Sequence, residues 1–223
     1  MTAYIDIHTH NRITSSTISS VINLLLHNIE EYKIMPQLFY SAGWHPWYIN
    51  NYSTEYIVKV IEKYASSPSI IAIGECGIDR AIDTSIDLQK KVFLLHINSA
   101  LKHKKPLIIH SVRAYSDILQ VLTEKNYKGS LILHGYRGNI QQAEQFSKFN
   151  TYFSFGNAIL KSKKNATTLE QLPLNKLFLE TDEDEISIEK IYLRAAEIKN
   201  VNTEELKKQI DINFNTLFRN ELD

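Results

Sequence analysis

The chain has 223 residues, 25 lysines and arginines balanced by 25 aspartates and glutamates, 43% hydrophobic residues and one cysteine. That length and composition suit a globular chain with a sizeable core, and argue against disordered or fibrous classes. Zero net charge argues against bulk attraction to nucleic acid or membranes, and a lone cysteine excludes an internal disulfide. No run approaches the ~20 apolar residues of a membrane helix and no cleavable leader is read at the start, so a cytoplasmic setting is expected and no protein partner is implied.

Taken in chain order, short apolar runs alternate with helical patterns. Tyr4–His8 reads as a strand. Thr17–Leu26 carries the β-branched Thr17, Ile18, Val21 and Ile22, which favour a strand, whereas Leu24, Leu25 and Leu26 suit strand or helix. Leu38–Ala42 follows Pro36 and stops at Gly43. Ser53–Tyr64 has apolar residues at helical spacing, then Ile70–Ile73 runs from Pro68 to Gly74. Ser85–His103 is helical, with Val92, Phe93, Ile97, Ala100 and Leu101 on one face. Leu107–His110 follows Pro106, Tyr115–Leu122 is helical, and Leu131–His134 lies between Gly129 and Gly135. Tyr152–Phe155 and Leu177–Thr181 complete the strands, and a last helix begins near Asn202 or Thr203. Continuous apolar runs are strands buried on both faces, and their alternation with helices predicts a parallel α/β fold in one domain over residues 1–223. With Thr17–Leu26 read as a strand the count is eight, that of a closed (β/α)8 barrel of TIM type. The stretch between the first and third strands is short, as if one helix were lost.

In such barrels chemistry sits at the C-terminal strand ends. Those ends here carry His8 and His10, the segment Gly43-Trp44-His45-Pro46, Glu75 and Asp79, His110, His134, and Glu180-Thr181-Asp182. His8 and His10 are two apart on a strand and face one side. Imidazoles and carboxylates gathered at one mouth predict a metal site, suited to Zn, Mn, Fe or Ni, and to Mg where carboxylates dominate. Six candidates exceed the four ligands usual for one zinc, and two ions sharing a carboxylate would use them all. Either Glu180 or Asp182 is the ligand, the other its support. His27, His96 and His103 fall in or beside helical segments and read as structural, Cys76 reads as packing, and Trp44 and Trp47 either line the mouth or pack. Four of the six arginines (Arg12, Arg80, Arg113, Arg137) and Lys161, Lys163 and Lys164 follow strand ends, a cationic rim suited to an anionic, phosphate-bearing substrate.

The ordered set D-I-H-T-H, G-W-H-P, G-E-C-G-I-D, K-P-L-I-I-H-S, H-G-Y-R-G and L-E-T-D, with the closing N-F-N-T-L-F, resembles the TatD-type metal-dependent hydrolases across nearly the whole chain. The resemblance implies an amidohydrolase-like TIM barrel. It implies metal-dependent cutting of DNA, often as a 3′-exonuclease, with two divalent ions (Mg, Mn or Zn); some relatives remove D-amino acids from tRNA. By it His8, His10 and Asp182 match one ion's ligands, His110 and His134 the other's, and Glu75 the bridge. Glu75 and Asp182 are the catalytic carboxylates, and His45, Arg113 and Arg137 the substrate-binding residues. The family's proline- and arginine-rich segment after E-T-D is replaced here by Glu183-Asp184-Glu185, which would repel phosphate. The function expected is metal-dependent phosphodiester hydrolysis of DNA or a nucleotide. The alternatives are C–N or ester hydrolysis of a small molecule or aminoacyl-tRNA, and a metal-binding protein without turnover.

Overall fold

Residues 2–11 and 15–219 are described by the computed structural model, and in them the apolar runs become eight parallel strands hydrogen-bonded in chain order. They are β1 (Tyr4–Thr9), β2 (Ile18–Leu25), β3 (Phe39–Gly43), β4 (Ile70–Asp79), β5 (Leu107–Val112), β6 (Ser130–Leu133), β7 (Asn150–Phe155) and β8 (Leu177–Leu179). The ambiguous second segment is a strand because it lies between β1 and β3 with both neighbours paired to it. The described helices are α1 (Thr54–Ala65), α2 (Ile86–His103), α3 (Tyr115–Glu124), α4 (Ile140–Gln145), α5 (Ala158–Lys161), α6 (Lys163–Gln171), α7 (Ile188–Lys199) and α8 (Thr203–Arg219). None is long and apolar enough to cross a membrane.

The departure from a regular barrel is larger than one lost helix. Among the described residues no α-helix lies between β1 and β3; a 3-10 stretch, Leu26–Glu31, is the only helical turn there. Ile29, Tyr32 and Ile34 instead pack on the cluster built from Ile22, Leu24, Tyr40, Trp44, Ile57 and Ile61.

The barrel closes between its first and last strands by unusual means. At the top the Asp182 amide donates to the His8 carbonyl (2.9 Å) and the His10 amide to the Asp182 carbonyl (3.0 Å). Below, the three-residue β8 leaves the Ile5 amide and carbonyl without a strand partner. The buried Tyr192 hydroxyl of α7 takes both, accepting from the amide at 3.1 Å and donating to the carbonyl at 3.0 Å. The fully buried Asp6 carboxyl adds a clasp, accepting from the Thr181 amide at 3.0 Å and the Thr181 hydroxyl at 2.6 Å.

Candidate metal centre

Six strands, with the residues just after them, deliver a single cluster. Four distances define its first half: His8 Nε2 and His10 Nε2 each lie 3.5 Å from Glu75 Oε2 and 3.5 Å from Asp182 Oδ1. That spacing is long for a hydrogen bond. His8 is fully buried, and neither of its ring nitrogens has a hydrogen-bond partner among the described residues. The second half surrounds the other carboxylate oxygen: Glu75 Oε1 is 2.8 Å from His110 Nδ1, 2.8 Å from His134 Nε2 and 3.3 Å from His45 Nε2. Three groups bring potential ligand atoms within 4.8 Å of one another: His8, His10 and Asp182; His8, Glu75 and His134; and His45, Glu75 and His110. The residues present therefore fit divalent cations.

Glycine makes this approach possible. A Cβ on Gly77, whose φ is +145°, would lie 2.1 Å from the His110 carbonyl oxygen, so no side chain fits where β4 crosses β5 beneath Glu75 and His110. Asp182 also has a left-handed φ of +55°, held there by the two backbone bonds that close the barrel.

Neighbouring side chains orient Glu75 and His110. Asn23 on β2 accepts from the Glu75 amide at 2.9 Å and donates to Glu75 Oε2 at 3.2 Å, while the Ser41 hydroxyl donates to its carbonyl oxygen at 3.0 Å. Asp79 Oδ2 lies 3.1 Å from His110 Nε2 and accepts from the Trp47 indole at 2.7 Å. The acceptor places the ring proton of His110 on Nε2 and leaves Nδ1 toward Glu75, the arrangement by which carboxylates orient ligand histidines. Asp182 joins the cluster, while Glu180 Oε1 accepts from the Gly135 amide at 2.6 Å, 3.5 Å from His134 Nδ1. His45 differs from the others. Its Nδ1 accepts from the Trp47 amide (3.2 Å), so the neutral ring carries its proton on Nε2 and offers a donor toward the cluster in place of a lone pair.

Asn23 and Ser41 escape sequence reasoning because each is one polar residue inside an apolar strand. Asn23 within Val21-Ile22-Asn23-Leu24-Leu25 is the usable signal, since a buried amide demands partners. His96 is structural as expected, its Nε2 accepting from the Trp44 amide at 2.9 Å; His27 stacks on Tyr48 at 3.6 Å, and His103 pairs with Glu62 at 3.1 Å. Cys76 is buried in the core.

Charge and burial compete throughout the cluster. Burial opposes ionisation of Glu75, yet the neighbouring His134 charge and hydrogen bonds from His10, His110 and His134 hold its carboxyl well below the usual range. The histidines respond in kind, each against its burial. His8 is pushed up to about 9 by Asp182 and Glu75, His110 is raised by Asp79 and Glu75, and His134 is raised strongly by Glu75 and Glu180. His45 alone is lowered, burial outweighing Glu75, which keeps it neutral.

The predicted cationic rim is only partly there. Arg80 is committed elsewhere, gripping Asp117 of α3 through Nε at 2.7 Å and Nη2 at 2.8 Å. Arg113, Arg137 and Lys164 line a cavity of about 740 Å3 that reaches His110, His134 and Asp182, and Lys161 lines a neighbouring one with Asp184. Arg12 lies outside the described residues. Glu183 borders the cluster itself.

An eight-stranded parallel barrel with this His/Glu/Asp cluster at its C-terminal mouth defines a metal-dependent hydrolase. Residues 8–219 match the family described as TatD related DNase, and the chain belongs to it. It is 32% identical over 190 residues to an uncharacterized metal-dependent hydrolase of Buchnera aphidicola, covering 81% of this chain and 70% of that protein. A Schizosaccharomyces pombe protein named deoxyribonuclease Tat-D is 29% identical over 137 residues, 57% of this chain and 43% of its own. The crystal structure of an Escherichia coli TatD homologue superposes with a TM-score of 0.82 at 20% identity, over 97% of this chain and 98% of that one.

Proposed function

We propose that the chain hydrolyses phosphodiester bonds of DNA, working from the 3′ end, with two divalent ions (Mg, Mn or Zn). The observation that carries this reading is the division of Glu75, whose Oε2 faces His8 and His10, each also 3.5 Å from Asp182 Oδ1, while Oε1 faces His110, His134 and His45. In it His8, His10 and Asp182 hold one ion, His110 and His134 the other, and Glu75 both. When bound, such a pair activates water and offsets charge on the phosphoryl oxygens. Asp182, held ionised by His8 against its burial, accepts the proton of the attacking water as that oxygen joins phosphorus and the ester oxygen leaves. His45, neutral with Nε2–H turned toward the cluster, donates to a phosphoryl oxygen bound there, and Arg113 and Arg137 bind flanking phosphates.

Because imidazoles must be neutral to ligate, loading the site displaces protons. The folded values of His8, His110 and His134 are raised by the carboxylates beside them, so the metal-free cluster holds on to protons that ligation must displace. Titrating the chelated protein with Zn or Mn should release protons, and affinity should rise with pH. Calorimetry in buffers of different ionisation enthalpy measures this; binding with no proton release contradicts the ligand assignment.

The direct test is 5′-labelled single-stranded DNA with Mg or Mn. Shortening from the 3′ end, abolished by chelator and slowed at least about a hundredfold in Asp182→Asn, is expected. Asparagine tolerates the left-handed backbone at this position, so the variant should fold; full activity in it would sink the assignment. Glu183 and Asp184 at the cavity walls favour one second reading, C–N or ester hydrolysis of a small molecule or aminoacyl ester. Turnover of amides with no cutting of DNA would decide for that reading.

A further inference from the structure

The mouth has two unlike sides. Arg113, Arg137 and Lys164 stand on one. On the other the pocket wall around Glu75 and His110 is formed by Leu25, Trp47 and Tyr48. Trp47 is 52% exposed although it is the largest side chain at the site, whereas Trp44, three residues earlier, is buried at 1%. Trp47 packs edge-on against the His45 ring, centres 4.9 Å apart, and a hydrogen bond fixes it further. Its indole nitrogen donates to Asp79 Oδ2, and that buried carboxylate is itself anchored by the Ala81 amide at 2.7 Å. Turning the ring away would strip a donor from a buried carboxylate, so the indole stays at the mouth, its ring centre 6.4 Å from that of His110.

A fixed, half-exposed indole beside a phosphate-cutting centre is a stacking platform, since every nucleobase offers a π-face and aromatic stacking tolerates sequence. We propose that Trp47 stacks the base of the 3′-terminal nucleotide, while the preceding phosphates lie on the Arg113–Arg137–Lys164 side. The inference rests on the DNA reading above and gives the strand a polarity: terminal nucleoside toward Trp47, remaining chain toward the arginines. Trp47 is then a specificity residue that recognises an aromatic base without selecting among bases.

Two measurements test it on the full-length chain. The first needs no turnover. With chelator present, deoxyadenosine monophosphate should quench the fluorescence of the wild type, and Trp47→Phe, which retains only buried Trp44, should show no such quenching. Absence of quenching in the wild type, or equal quenching in the variant, overturns the proposal. The second compares oligonucleotides ending in a normal nucleotide or an abasic deoxyribose. The wild-type preference in KM for the base-bearing end should collapse about tenfold in Trp47→Ala and persist in Trp47→Phe, which keeps a ring but loses the hydrogen bond to Asp79. A preference that survives Trp47→Ala, or a Phe variant as poor as Ala, overturns stacking. If the wild type cuts neither oligonucleotide, the DNA reading fails instead, and quenching alone then decides whether Trp47 binds a base.

Discussion

Glu75→Gln should fold normally and lose about a thousandfold of metal-dependent turnover, equivalent to about 4 kcal/mol of transition-state stabilisation. The glutamate is the one anion on which both halves of the cluster depend. Its two oxygens face His8, His10, His45, His110 and His134, all within 3.5 Å. An amide of the same shape removes the charge and turns an NH2 toward one set of imidazoles. Asn23 still holds the backbone amide of residue 75, so the change stays electrostatic and does not reach the fold. Metal content should drop together with turnover, and the raised values of His110 and His134 should fall toward ordinary ones as their counter-charge disappears. Circular dichroism, metal analysis and initial rates in Mn measure the three effects. A variant within tenfold of wild-type activity would remove Glu75 from the centre of the mechanism.

Asp6→Ala is expected to destabilise the barrel by about 2 kcal/mol, since it leaves the buried Thr181 amide without its acceptor and the Thr181 hydroxyl with Thr9 Oγ1 alone. Asp6→Asn keeps an acceptor and should cost far less. The two variants also separate charge from connectivity. Burial pushes the Asp6 carboxyl up to about 7, outweighing its hydrogen bonds from Thr181. The folded state then binds the Asp6 proton more tightly than the unfolded chain does. The contribution of Asp6 is greatest below the unfolded value near 4 and declines as pH rises to about 7. Wild type should therefore lose stability relative to Asp6→Asn across that window. Urea unfolding at several pH values, in chelator, measures it; parallel stability curves for the two proteins would contradict the buried, protonated carboxyl.

Much of the fold is legible in the sequence because a strand buried on both faces is written as an unbroken apolar run. Ile70–Ile73, Leu107–His110 and Leu131–His134 are of that kind. Boundaries fare worse where hydrogen bonding continues past the apolar run. β4 extends through Gly74 to Asp79, and β8 stops at Leu179, the Thr181 amide being taken by the Asp6 carboxyl. α6 is hidden because its buried side includes Asn165 and Thr168, polar residues that bond to the Tyr136 and Gly138 carbonyls. At the site, residue types at strand ends reveal the six clustered side chains. Periodicity cannot reveal their supports: Asn23, Ser41 and Asp79 matter through partners 18 to 52 residues away. Arg80 shows the converse limit, since its position after a strand end says nothing of Asp117, which claims it.

The seam beside Tyr192 gives the cluster a mechanical meaning as well. β1 and β8 are joined at the mouth by two backbone bonds, and His8 and His10 stand on one side of that join with Asp182 on the other. An ion held by all three would rivet the beginning of the barrel to its end, at the point where the ladder is thinnest. By mass action an ion at a thousand times its dissociation constant adds about 4 kcal/mol to the closed form. Loading and closure would then be one equilibrium, and the supply of metal would govern how often the barrel opens at that seam.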